Sequence, residues 1–310
     1  MILLLGGSGY IGYALRRHMD RDGTPYRNVR RSACNYYDPA QLDDLISQTR
    51  PDFLINAAGF TGSPNIDACE LHKTECLVAN AALPGIIRDV CERRHLPCGH
   101  ISSGCIYTAD RSNDRGFREC DTPNFTFRHN NCSFYSGCKA LGEEILEGAE
   151  HCYIWRLRIP FNHVDAPKNY LSKLMRYERL LDARNSLTHL DDFANACFQC
   201  WENCLEFGIY NLTSSGSITT REVVDLIRKV GLRNKQFKFF ESEAEFMRVA
   251  AIAPRSTCVL DNSKAQRAGV RLSHVGEAIE RALADWKWEV APSVGREGRE
   301  LISRTIAPKA

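Results

Sequence analysis

"MILLLGGSGYIG", residues 1–12, runs from an apolar segment into a glycine turn and on into the helical pattern of "YIGYALRRHMD". A short apolar run closed by glycine reads as a strand buried on both faces. Gly6, Gly9 and Gly12 stand at spacings of three across the turn, and Tyr10 and Ile11 open the helix beside them. Glycines so placed permit a tight turn, let backbone approach a pyrophosphate, and allow a helix to pack closely on its strand with its N-terminus toward the phosphates. The stretch predicts the first strand–turn–helix unit of a dinucleotide-binding fold.

Outward from it, "DFLINAAG", "PCGHISS" and "CYIWRL" read as further buried strands with helical periodicity between them. This alternation predicts an α/β protein built on a doubly wound parallel sheet, of the Rossmann type, whose ligands lie at the carboxyl ends of the strands. After residue 158 the alternation loosens, with helical stretches near 170–182, 191–204, 219–230 and 274–288, and "GIYNLT" is expected to return to the sheet. The expected organisation is an NADP-binding domain over 1–158, joined by a later strand near 208–213; a smaller, mostly helical and mainly substrate-binding lobe over 159–290; and a basic tail over 291–310.

Composition narrows the function classes. A chain of 310 residues with 44% hydrophobic content can bury a large core, and a net charge of +2 gives no broad basic field, so no nucleic-acid partner is expected. The first apolar run is too short to span a bilayer and lacks a basic leader, which predicts a cytoplasmic protein with no membrane partner. Fourteen scattered cysteines without a secretory signal are expected to be reduced. Cys197, Cys200 and Cys204 share one helix face with no fourth ligand nearby, so they are read as buried apolar residues and no metal is expected.

The cofactor type follows from "YRNVRRSACNYYD". An NAD site offers an acid to the ribose 2′-hydroxyl about 20 residues past the glycines. No acid stands between Gly23 and Tyr37, whereas Arg27, Arg30 and Arg31 can pair with a 2′-phosphate, so NADP(H) is expected. "NAAG", with Ala57, Ala58 and Gly59, closes a strand and suits passage of backbone beside an adenine ribose.

Chemistry points to "SFYSGCKALGEEIL", where Tyr135 and Lys139 lie four apart on one helix face. A phenol, with an unperturbed pKa near ~10, handles protons poorly at neutral pH without a nearby cation, which Lys139 supplies. Ser103, at the end of "PCGHISS", completes a Ser-Tyr-Lys set around a carbonyl oxygen. On the residues alone Cys105 reads as a small apolar residue at a strand end, and Lys173 as a helix-surface cation.

The glycine turn, "NAAG", Ser103 and "YSGCK" resemble an extended short-chain dehydrogenase/reductase of the sugar-nucleotide epimerase/dehydratase branch. More closely, "NAAGFTGSPNIDACELHK", "SSGCIY", "DTPNF", "SFYSGCKA", "NYLSKLMRYE" and "APRSTCVLD" resemble the nucleotide-rhamnose synthase/epimerase-reductase of plants, whose simpler relative is dTDP-4-dehydrorhamnose reductase. The resemblance runs from residue 1 to about 290. It implies 3,5-epimerisation and then 4-keto reduction of a UDP- or dTDP-linked 4-keto-6-deoxyglucose to the L-rhamnose nucleotide. The roles implied are Ser103, Tyr135 and Lys139 as reductase triad, with Cys105 as thiolate base and Lys173 as opposing acid. Asn80 joins the cofactor-lining set, which also takes in Tyr135 and Lys139. Thr61, Asn169 and Arg255 face the sugar or diphosphate, Arg255 as a bidentate phosphate clamp. "SSGCIY" also resembles the motif of GDP-fucose synthase, where the second group is a histidine; Lys173 fits the plant pattern better.

"CDTPNFTFRHNNCSFYS" is longer than the plant-like segment, which leaves the sugar open. A separate 4,6-dehydratase is expected to supply the substrate, and a homodimer is allowed. His163, Asp191 and Asp192 are given no role; a helix N-cap accounts for an aspartate in "THLDDFANA". Two alternatives stay open: a 4-ketoreductase alone, and a non-catalytic NADP-binding regulatory subunit.

Overall fold

The structure is a computed structural model that describes residues 1–63, 65–108, 116–129, 131–233 and 235–288. The tail expected over 291–310 lies outside the described residues. Six parallel strands form the central sheet: β1 (Ile2–Leu5), β2 (Tyr26–Val29), β3 (Phe53–Asn56), β4 (Cys98–Ser103), β5 (Cys152–Leu157) and β6 (Gly208–Asn211). Their spatial order is β6-β5-β4-β3-β1-β2, so the sheet reverses direction of growth between β1 and β3. A crevice opens at the carboxyl ends at such a reversal.

Strand periodicity divides the side chains between two faces. Ile2, Leu4, Phe53, Ile55, Tyr153 and Trp155 lie on one, under Leu15 and Met19 of α1 (Tyr10–Asp22). Leu3, Leu5, Leu54 and Ile154 lie on the other, against α2 (Pro39–Thr49) and α3 (Leu83–Arg93). Each buried side chain of this kind contributes roughly 1.5–3 kcal/mol of transfer free energy. Asp38 caps α2, its carboxylate accepting from the Ala40 N–H at 2.9 Å, and Pro39 fits the first turn, where its missing N–H costs nothing.

Five further helices matter for the site and its supports: α4 (Phe134–Ile145), α5 (Tyr170–Arg176), α6 (Leu190–Glu202), α7 (Thr220–Val230) and α8 (Val275–Ala284). Helices α5, α7 and α8 enclose a second core around Phe161, Leu174, Val223, Ile227 and Ile279. The helix α6, expected to belong with them, is not part of this second core. Phe193, Cys197 and Phe198 of α6 pack on the face of the sheet that α1 covers. An amphipathic pattern says that a helix has a buried face, not which core receives it.

The helix expected over 170–182 ends at Arg176, because Arg179–Leu180 pairs in parallel with Lys238–Phe239. Cys197 and Cys200 are buried as expected, whereas Cys204 lies beyond the end of α6 and is exposed. Among the described residues no helix is long and apolar enough to cross a membrane.

Candidate active site

The glycine turn is shaped by steric exclusion. Gly6 adopts φ +75°, and a Cβ there would lie 2.4–2.6 Å from the Ala57–Ala58 backbone. A Cβ on Gly12 would meet the Gly6 carbonyl oxygen at 2.2 Å. Loop, "NAAG" segment and α1 thus approach one another closer than any side chain allows. Gly9 is the N-cap of α1 and offers no side chain, so no side chain takes the first N–H groups of the helix. Tyr10 points away, its hydroxyl donating to Asn162 Oδ1 at 3.2 Å, and Ile11 packs against the core below.

At the end of β2 a residue missed in the sequence stands out. The Oδ1 of Asn28 is sealed from solvent without a hydrogen-bond partner and would lie 2.3 Å from a Cβ on Gly7. Arg27, Arg30 and Arg31 are exposed, and among the described residues none pairs with a carboxylate; Arg31 lies over the Tyr37 ring at 5.8 Å. Asn80, expected to line the cofactor, holds this region's shape. Its amide donates to the Phe60 carbonyl at 2.7 Å and accepts from the Phe60 N–H at 3.2 Å, which fixes the loop after Gly59.

Four expected catalytic residues converge at the carboxyl end of β4. Ser103 ends the strand and caps the 3-10 turn Gly104–Ile106, its Oγ accepting from the Cys105 N–H at 3.2 Å. Ser133 caps α4 and orients its first turn, placing Tyr135 against the cluster that contains Cys105. The Tyr135 phenol is near enough to Ser103 for the hydroxyl of that serine to favour its ionised form. Lys139, one turn on, donates from Nζ to the Ile101 carbonyl at 3.0 Å and lies 4.0 Å from the position of a Cβ on Gly59. Ser103, Cys105 and Lys139 are all buried.

The environment sets the protons. Burial, with the neighbouring thiols Cys105, Cys69 and Cys76, pushes the Tyr135 phenol well above its usual range, opposed by the Ser103 hydroxyl. Burial lowers the Lys139 ammonium, opposed by Cys105 and Glu143. Burial also pushes the Cys105 thiol up, against the pull of Ser103, Arg158, Ser136 and Lys139. Burial therefore favours the neutral thiol at rest. Lys173 is half-buried on α5, and burial with the charges of Lys168 and Arg255 lowers its ammonium. Among the described residues its amine has no hydrogen-bond or ion-pair partner.

The three expected substrate residues are placed differently. Asn169 is fully buried and is the N-cap of α5, accepting from the Leu171 N–H at 3.0 Å and donating to the carbonyls of Asn162 and Val164 at 2.9 and 2.7 Å. It holds the turn before α5 and does not face the cleft. The guanidinium of Arg255 is bidentate to Asp67, at 2.8 and 2.7 Å, and also donates to the Ala253 carbonyl. A phosphate would have to displace that carboxylate, so Arg255 is a loop anchor and not a waiting clamp. Thr61 is exposed, and its Oγ1 accepts from Lys168 Nζ at 3.0 Å. Lys168, missed in the sequence, also donates to the Gly62 carbonyl and bridges the loop after β3 to the segment before α5.

The doubly wound sheet, the glycine turn at its switch point and the Ser-Tyr-Lys grouping define a Rossmann-type dehydrogenase/reductase class. The chain belongs to the RmlD substrate binding domain family, whose model matches residues 1–287. It is 32% identical over 288 residues to a bifunctional dTDP-4-dehydrorhamnose 3,5-epimerase/dTDP-4-dehydrorhamnose reductase of Arabidopsis thaliana, covering 89% of this chain and 90% of that one. It is equally similar, at 32% over 288 residues, to a trifunctional UDP-glucose 4,6-dehydratase/UDP-4-keto-6-deoxy-D-glucose 3,5-epimerase/UDP-4-keto-L-rhamnose-reductase of the same plant, and spans 40% of its length. Among solved structures, the UDP-rhamnose synthase of Acanthamoeba polyphaga mimivirus has the same fold, with TM-score 0.84 at 22% identity over 92% of this chain and 98% of that one. The dTDP-4-dehydrorhamnose reductase of Bacillus anthracis in complex with NADP also shares it, with TM-score 0.77 at 16% identity over 92% of this chain and 97% of that one.

Proposed function

We propose that the protein is an NADPH-dependent 3,5-epimerase/4-reductase that converts a UDP- or dTDP-linked 4-keto-6-deoxyglucose, the product of a 4,6-dehydration, into the L-rhamnose nucleotide. The observation that carries this reading is the placement of the Cys105 sulfur beside Ser103, Tyr135 and Lys139, in a chain whose bifunctional relative is matched over nearly its whole length.

The residues present fit a dinucleotide with a 2′-phosphate. Gly6 and Gly12 leave backbone free for a pyrophosphate at the uncapped start of α1, Asn28 offers an unpaired acceptor at the end of β2, and Arg27, Arg30 and Arg31 carry unpaired charge beside it. When bound, NADPH supplies the hydride for the sugar C4.

The other steps belong to the chain's own side chains. Ser103 and Tyr135 hydrogen-bond the C4 oxygen, which acidifies the protons on C3 and C5 by stabilising the enolate that their removal creates. Cys105 and Lys173 take and return those protons from opposite faces of the ring. The lowered Lys173 ammonium gives up its proton more readily, which suits the acid of the pair. The raised Tyr135 phenol stays protonated near neutral pH, ready to protonate the C4 oxygen during reduction. The Lys139 cation, one turn from Tyr135 on α4, compensates charge as that proton leaves.

One observation favours a second reading, reduction alone. The charges acting on Lys173 come from Lys168 and Arg255, and those acting on Cys105 from Arg158 and Lys139, so no charged group acts on both. Incubation with the UDP- and dTDP-linked ketosugars in deuterated water without NADPH separates the readings. Deuterium entering C3 and C5 is expected; none entering, with reduction of the already epimerised sugar intact, leaves a reductase only. Tyr135→Phe is expected to slow that reduction by about 10²–10⁴-fold. An unchanged rate in the phenylalanine variant removes the catalytic reading altogether.

A further inference from the structure

Arg158 follows β5 directly and is buried, yet its charge has no counterion among the described residues. Its Nη2 donates to Asn185 Oδ1 at 2.7 Å and to the Ser256 carbonyl, which pins that edge of the guanidinium to two neutral acceptors. Its Nε is sealed from solvent with no partner among the described residues. A buried cation left without a carboxylate costs stability, and an orphaned donor adds to the cost. Such a cost, kept in a folded chain, calls for a group that makes use of the charge.

The sheet register locates that group. Ser103 pairs with Leu157 across β4 and β5, so Arg158 leaves the sheet beside the turn that carries Gly104 and Cys105. The Ser256–Cys258 segment closes the arrangement. Ser256 takes the Arg158 bond on its carbonyl and donates from Oγ to the Tyr107 carbonyl, while Cys258 donates from Sγ to the Gly104 carbonyl at 3.2 Å. Asn185 Oδ1 also accepts from the Cys258 N–H at 3.1 Å, so a single amide fixes both the guanidinium and the wall over Cys105.

We infer that Arg158 is the positioning residue that supports the anion of Cys105: its guanidinium, denied a carboxylate by the fold, supplies the counter-charge when the thiol gives up its proton. The inference rests on the proposed epimerase step and names the group that makes it workable in a buried site. Opposite charge within a few ångströms favours the ionised form, and the effect is greatest where water is excluded. The groups facing Cys105 are Ser103 on its own turn, Tyr135, Ser136 and Lys139 on α4, Cys132 before α4, and Arg158 after β5. Two of them are cations. Lys139 donates to the Ile101 carbonyl, and of the two cations Arg158 acts on the thiol more strongly, from the strand end that the sheet register sets beside its turn.

The test compares the intact protein with Arg158→Met and Arg158→Lys. Alkylation of Cys105 by iodoacetamide, followed by peptide mass mapping across pH, reads the thiolate without any sugar. Its midpoint is expected to rise by about one pH unit or more in Arg158→Met, with partial recovery in Arg158→Lys. Deuterium exchange into C3 and C5 at pH 7 is expected to fall at least about tenfold relative to reduction of the epimerised sugar, with its pH profile displaced the same way. An alkylation midpoint that does not move overturns the inference, as does equal loss of exchange and reduction. A midpoint that moves in a protein showing no exchange even with Arg158 in place leaves the pairing intact and removes the epimerase reading instead.

Discussion

Arg156 and Arg158 stand two residues apart at the end of one strand and are buried alike, but the fold treats them in opposite ways. Arg156 meets Glu143 of α4 through Nε and Nη2, at 3.0 and 2.6 Å, and donates from Nη1 to the Tyr107 hydroxyl at 3.0 Å. Ser102 donates to the same carboxylate, and the Tyr107 hydroxyl donates onward to the Asp121 carbonyl at 2.7 Å. Among the described residues Arg158 meets only an amide and a carbonyl, and its charge pulls on the Cys105 thiol. A buried charge with its partner joins strand to helix. One without a partner is available to chemistry.

The largest way to break this contrast is to remove the partner that Arg156 has. Glu143→Ala leaves the guanidinium charged in a sealed position, and is expected to cost about 3–5 kcal/mol of unfolding free energy, read from the urea midpoint. A loss below about 1 kcal/mol means that the pair holds nothing together and that the two arginines are alike. Glu143→Gln keeps an acceptor for Nε and is expected to lose less.

A second pair tests the same rule through acid. Asp192 on α6 accepts from Arg281 of α8 at 2.8 and 2.9 Å, tying the helix on the sheet to the second core. Burial alone would raise its carboxyl, but hydrogen bonds and charge from His189, Ser273 and Arg281 outweigh it and hold the group at about 2, below its ordinary 3.8. The stability that comes from a depressed carboxyl is present above the ordinary value and is lost as pH falls toward the folded one. The protein is therefore expected to lose about 2 kcal/mol between pH 4 and pH 2 that Asp192→Asn does not lose, measured as the difference between their unfolding midpoints. Parallel curves for the two proteins would show the bridge to be idle.

What could be read in advance follows the range of the interactions concerned. The glycine turn, the strand and helix periods, and the four-residue spacing of Tyr135 and Lys139 are local, and the structure has them where the sequence puts them. Asn169 was legible as well: an asparagine just before a helical pattern is a cap signal, and the family resemblance pulled it toward the sugar instead. Arg255 looked free because its partner, Asp67, is 188 residues away. The partners of Arg158 lie 27 and 98 residues off, on segments whose approach depends on the whole lobe. "CYIWRLRI" does show two arginines in an apolar run, which signals buried charge, but a single strand cannot say which of them will find a carboxylate.

The smallest effect sharpens the contrast most. Arg158→Met replaces a buried, unpaired cation by an apolar chain of comparable length, removing the orphaned Nε and leaving Asn185 Oδ1 with the Cys258 N–H it already accepts. Lost bonds to Asn185 and Ser256 and relieved desolvation pull in opposite directions, so the unfolding free energy is expected to stay within about 1 kcal/mol of the parent or to rise. A group held for chemistry at the expense of the fold behaves in this way when it is replaced. If Arg158→Met instead unfolds as readily as Glu143→Ala, Arg158 is a structural tie like Arg156. The thiol of Cys105 would then have only Lys139 to draw on.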